Sequence, residues 1–225
     1  MDWTAIWLSV RLSTATTLAL LVLGLPLAYF LATTAFRFKF LIEAAVALPL
    51  VLPPTVLGFY ILLAIGPRSP VGQFYESIAG HGLPFRFEGL LVASILYSLP
   101  FAVQPFAAAL SSVDRRFLEA SYCLGESKLR TIFRVLLPLS KRGIMTGAVL
   151  SFAHTLGEFG VVLMVGGNVS SETRTISISI YDEVQALNYD AAGQTSLLLL
   201  VISFLVLAVT YALEKRVWAV WPMRW

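Results

Sequence analysis

Glu158 is the one acidic residue inside a long apolar stretch of this chain, and His154 stands four residues before it, one helical turn away. An ionisable side chain at membrane depth needs a partner or a proton, so the pair is a functional candidate by default. Two kinds of chemistry are open to it: a structural or gating contact, or a proton-linked step. Gly157 and Gly160 flank the acid and allow the helix to open locally. Nothing accompanies the pair that would make an enzyme. His81 lies in a connecting segment with no ligand spacing to His154, and Cys123 is the single cysteine, so no disulfide or thiolate cluster can form within the chain. The Walker pattern Gly-x-x-x-x-Gly-Lys-Ser/Thr is missing, which removes the P-loop route to ATP. No catalytic, cofactor-binding or metal-ligating residue is assigned.

The elements that must position the pair follow from composition. With 58% hydrophobic and only 13% charged residues, where a soluble domain carries about 25%, 225 residues cannot be arranged as a water-soluble globule. A cytosolic enzyme and a nucleic-acid binder are thereby excluded. Stretches free of acidic and basic residues run over 12–36, 44–67, 89–113, 143–157 and 191–213, the fourth continuing past Glu158 to about 167. Each is near the length of about 20 residues that crosses a bilayer as a helix. The expectation is an all-α, polytopic membrane protein of one domain, residues 1–225, with five transmembrane helices. The first segment lacks the basic start of a cleavable signal and is taken as a permanent span. The short tail after the fifth span is expected to carry no appended regulatory domain.

Twelve of the sixteen basic residues fall in three segments that share one side in a five-span chain: Arg37 and Lys39, the run from Arg115 to Arg142, and Lys215, Arg216 and Arg224. The positive-inside rule makes that side cytoplasmic, with the N-terminus outside and the C-terminus inside. Trp3 and Trp7 at one end, and Trp218 and Trp221 at the other, suit interfacial belts on opposite faces.

The segment from about 112 to 141 is then a cytoplasmic loop with its own pattern. Val113, Phe117, Ala120 and Leu124 recur at helical spacing and form an apolar face. Gly125 suits a left-handed helix end, Ser127 suits an N-cap for a second short helix, and Pro138 is expected to close the unit. Such a hairpin either docks in a groove of another protein or lies on anionic lipid.

Glu119-Ala120-Ser121, three residues, Gly125, nine residues, then Val135-x-Leu137-Pro138 resembles the cytoplasmic loop signature of ABC importer permeases. That signature reads Glu-Ala-Ala, three residues, Gly, nine residues, Ile-x-Leu-Pro; Ser121 and Val135 depart from it. The run from Leu48 to Gly58, Leu156-Gly157-Glu158-Phe159-Gly160 and Glu172-Thr173-Arg174-Thr175 look like the molybdate group of these permeases, so the resemblance extends over about residues 9–213. It implies the type I importer permease fold, a bacterial inner-membrane location, a second copy of the chain, a cytoplasmic ABC ATPase dimer that receives the loop as a coupling helix, and an external molybdate-binding protein. Tungstate, sulfate or another solute are the alternatives within the family; a secondary transporter or channel is the alternative outside it. The latter would need midplane charges and inverted internal halves, which the sequence lacks.

Pro49, Pro53 and Pro54, with Thr55, remove backbone donors in the second span and either line a kinked pathway or only shape packing. Gly58 and Gly66 are expected at close contacts or helix ends. An anionic cargo would be repelled by a carboxylate in its path, which favours a structural or gating role for Glu158. The hydroxyls of Thr14, Thr16, Thr17, Ser94, Ser98, Ser151 and Thr155 are the neutral candidates for lining, and Arg174 either attracts an anion or contacts a docked protein from outside, or is a solvated loop charge.

Overall fold

The computed structural model describes residues 2–218, and every regular element in it is helical. Trp221 and Arg224, assigned above to the C-terminal belt and basic tail, lie outside the described residues, as do the side chains of Lys215, Arg216 and Trp218. Helix α1, Trp3–Thr33, opens on Asp2, whose carboxylate accepts from the Ala5 amide at 3.0 Å. Its 31 residues extend about 46 Å, more than the hydrocarbon thickness of a bilayer. The second stretch is two helices, α2 (Lys39–Val51) and α3 (Pro54–Ile65), bent by 118°. Pro53 and Pro54 make that break, because neither can donate a backbone hydrogen bond and the residue before a proline is pushed to extended backbone; Leu52 has ψ 137°. Pro49 lies inside α2 without ending it.

After α4 (Pro70–Ala79), helix α5 (Phe87–Ser111) runs parallel to α1 at its centre. Arg11 stacks on Phe87 at 4.2 Å, Gly24 faces Val103 and Phe106, and Leu31 and Leu110 share one apolar cluster. Two parallel neighbours require the chain between them to cross back once. The α2–α3 pair does so, for Lys39 and Glu43 lie beside Ser111 at one end of α5 while Ile65 lies beside Gly89 at the other.

The cytoplasmic-loop signature forms α6 (Arg115–Cys123) and α7 (Lys128–Thr131) around Gly125, whose φ of +82° is the left-handed geometry foreseen for it. The Gly125 amide bonds the Tyr122 carbonyl and the Glu126 amide bonds the Ser121 carbonyl. Ser127 caps α7, accepting from the Arg130 amide.

Pro138 does not close the unit. From α7 the helix continues through a π-turn, Ile132–Leu136, into α8 (Leu137–Leu156). The wider turn precedes the proline, and the Leu137 amide reaches back five residues to the Ile132 carbonyl. This accommodates a residue with no N–H and a ring that crowds the preceding turn. Helix α8 ends at Gly157, and α9 (Gly160–Gly166) departs at 62°. The pair runs back along α5: Gly147 meets Phe106, Ser94 bonds Glu158, and Gly166 meets Leu90. Helix α10 (Ile176–Gln185) packs beside the start of α1, and α11 (Tyr189–Trp218) makes the last crossing. Among the described residues three straight helices are long and apolar enough to cross a membrane, and the count reaches the expected five when each bent pair is taken as one span. Helices α4 and α10 were read from sequence only as connecting segments.

Candidate functional site

The two breaks meet. Pro54 and Thr55 at the start of α3, and Gly157, Glu158, Phe159 and Gly160 at the turn from α8 to α9, line one cavity of about 540 Å³ together with Tyr97 and His154. The approach is close because Gly160 has no side chain: a Cβ there would stand 2.7 Å from Pro54 Cβ. Four of the six pathway candidates, Pro54, Thr55, His154 and Glu158, therefore share one wall, whereas Pro49 and Pro53 do not line it.

Glu158 is 4% exposed. Its Oε2 accepts from Ser94 Oγ at 3.1 Å, and its Oε1 has no hydrogen-bond partner among the described residues. His154 does not pair with it, although the two lie one turn apart. The helix opens at Gly157 and carries the acid away to Ser94, while His154 bonds Ser98, one turn further along α5. The ring stacks on Phe101 at 3.8 Å and lies 4.8 Å from Tyr97.

Hydrogen-bond direction around His154 follows from the chain of hydroxyls. Thr155 spends its proton on the Ser151 carbonyl at 2.9 Å. Ser98, 2.8 Å from Thr155 Oγ1, must therefore donate to it. With that proton committed, the 2.9 Å contact between Ser98 and His154 Nδ1 requires the ring to donate. Nδ1 therefore carries a proton.

None of the seven hydroxyls singled out in the sequence lines this cavity. Thr14, Thr17 and Ser151 bond their own backbone, Thr16 is buried without a side-chain partner among the described residues, and Ser94 and Ser98 support Glu158 and His154 from behind. Arg174 is not a free charge either. It donates to Asn168 at 2.7 Å and pairs with Asp182 and Asp2, tying the loop after α9 to α10 and to the cap of α1. Tyr97, Phe101 and Asp182 were missed; no local motif marks them, since each is brought in from another helix.

At the opposite end of α5 stands the signature loop. Phe117, Tyr122, Leu124, Leu129 and Phe133 are exposed and give α6 and α7 an apolar outer surface. Glu119, Ala120 and Cys123 are exposed as well. Glu119 lines a 400 Å³ cavity with Tyr29, Thr33, Arg115, Lys128 and Thr131, between the loop and the ends of the spans. Ser121 faces inward, Val135 and Leu137 are half-buried, and Pro138 is exposed.

Over residues 17–219 the chain matches the family described as binding-protein-dependent transport system inner membrane component. It is 48% identical over 214 residues, 95% of each chain, to the molybdenum transport system permease protein ModB of Azotobacter vinelandii. To the protein of the same name in Escherichia coli K12 it is 35% identical, over 82% of this chain and 80% of that one. Among solved structures it resembles a chain of the MetNI methionine ABC transporter in inward-facing conformations, at TM-score 0.72 and 18% identity, covering 95% and 94% of the two chains. A chain of a bacterial alginate ABC importer matches at TM-score 0.75 and 19% identity, over 95% and 78%.

Proposed function

The chain belongs to the binding-protein-dependent transport system inner membrane components, and on that premise we propose that it is the permease subunit of an ATP-driven importer that carries molybdate inward. What supports the reading is a signature loop standing clear of the spans as a helical hairpin with an apolar outer surface, in a chain nearly half identical along its length to a molybdenum permease.

Two copies enclose the pathway between them, and each presents α6 and α7 to one half of a cytoplasmic ATPase dimer, which supplies the energy this chain has no loop to capture. ATP binding closes that dimer and pushes the hairpins; the spans reorient outward and accept the anion from an external binding protein; hydrolysis resets them. The cavity between the two breaks lies on this path. Glu158 acts there as a structural and gating group rather than a ligand, since its carboxyl is turned to Ser94 and a negative charge would repel the cargo. Thr55, at the start of α3, is the group of the cavity wall suited to an oxyanion. The signature loop faces the cytoplasm and the N-terminus faces outside.

The test is ATP-dependent uptake of labelled molybdate by proteoliposomes that hold the chain with its ATPase and binding protein. Uptake suppressed by tungstate but not sulfate, and abolished by Glu119→Ala, is the expected result. An assembled, binding-protein-stimulated ATPase that moves no molybdate would overturn the substrate; failure to assemble with any ATPase would overturn the coupling role of the loop.

A further inference from the structure

Ser121 occupies the signature position where the importer family carries its second alanine, and it is turned inward. It is 7% exposed, while Ala120 and Tyr122 on either side are exposed. A hydroxyl so placed is costly without a partner, and a serine in a helix ordinarily bonds the carbonyl four residues back. Here it reaches instead across the Gly125 turn to Thr131 Oγ1 at 2.9 Å, and Thr131 is 1% exposed. Leu118, Ile132 and Leu136, next to the pair in sequence, pack into the apolar cluster of the spans, while Thr131 also borders the 400 Å³ cavity beneath the loop. The main chain of Ser121 holds the same turn, its carbonyl accepting from the Glu126 amide at 3.2 Å. The other side-chain links of the hairpin, from Glu126 to Arg130 and Arg134, are exposed ion pairs at its rim and contribute little.

From Thr131 the helix passes without interruption through the π-turn into α8, and α8 ends at the Gly157 break beside the cavity. A rigid angle between α6 and α7 is therefore a rigid angle between the docking surface and the helix that carries His154 and ends at the turn holding Glu158. We infer that Ser121 and Thr131 form a positioning pair that makes α6 and α8 move as one lever, so that displacement of α6 reaches the cavity instead of being absorbed in the Gly125 turn. The inference rests on the coupling role proposed above for this loop.

The experiment compares wild type with Ser121→Ala, Thr131→Val, the double variant and Thr131→Ser in proteoliposomes holding the complete transporter. Two ratios are read: ATP hydrolysed per molybdate taken up, and stimulation of the ATPase by molybdate-loaded binding protein. Each disruptive single variant is expected to worsen both by about threefold to tenfold, the size of one lost hydrogen bond. The double variant should be no worse than either single one, Thr131→Ser should behave as wild type, and the ATPase should co-purify with all of them. Unchanged ratios in Ser121→Ala, additive effects in the double variant, or loss of the ATPase from the complex would each overturn the pair as a positioning device. A wild-type complex that moves no molybdate but is still stimulated defeats the substrate assignment alone, and the stimulation ratio then decides the pair.

Discussion

The buried carboxyl of Glu158 depends on one neighbour. Ser94→Ala removes the donor to Oε2 and leaves both oxygens unpartnered, which should cost about 1–3 kcal/mol. Adding Glu158→Leu removes the stranded polar group as well, and most of the loss should return. Thermal unfolding in detergent measures both, and a double variant no more stable than Ser94→Ala would refute the pairing. The ring of His154 carries a second prediction: nitrogen NMR of labelled protein should find Nδ1 protonated, and Ser98→Ala should release that preference. Sequence spacing made these two residues conspicuous and suggested that they face each other. It failed there because four-residue spacing implies contact only while the helix stays regular, and Gly157 ends the helix between them. The true partners, Ser94 and Ser98, lie more than fifty residues away on α5, and no local pattern ties them to the acid and the ring.

Among the elements, the two broken spans account for most of what was legible only in part. The prolines announced a break in the second stretch, and the glycines around Glu158 one in the fourth, because both residue types act on their own backbone. That the breaks meet is a property of packing, set by how closely α3 and α9 approach. Gly160→Ala places a methyl 2.7 Å from Pro54 Cβ, an overpacking expected to cost about 1–3 kcal/mol. Gly193→Ala in α11, where an added Cβ meets nothing within 4 Å, should be neutral or slightly stabilising. Equal melting temperatures for the two variants would contradict the close contact. Pro138 misled the reading for a related reason. A proline usually terminates a helix, yet a π-turn one step earlier lets the helix from Lys128 to Leu156 run on, and so links the hairpin mechanically to the fourth crossing.

For the molecule as a whole, the apolar stretches and the family were legible in the sequence, because hydropathy and a fixed-spacing loop are both local signals. Sidedness rests on twelve basic residues gathered in three segments, and the chain carries its own probe for it. Cys123 is the single cysteine, and its helix α6 exposes it on the surface proposed to meet the ATPase. A membrane-impermeant maleimide should therefore label inverted membrane vesicles and leave intact spheroplasts unlabelled. Detergent should restore labelling in the spheroplasts, which shows that access and not reactivity was limiting. Assembly with the ATPase should slow the reaction about tenfold or more, as expected for a side chain carried inside a protein interface, and Cys123→Ser should abolish the signal. Labelling of intact spheroplasts would invert the topology and place the signature loop outside, where no ATP-driven partner could reach it. Labelling unaffected by the ATPase would keep the topology and move the docking surface off α6, towards Leu129 and Phe133 on the far side of the Gly125 turn.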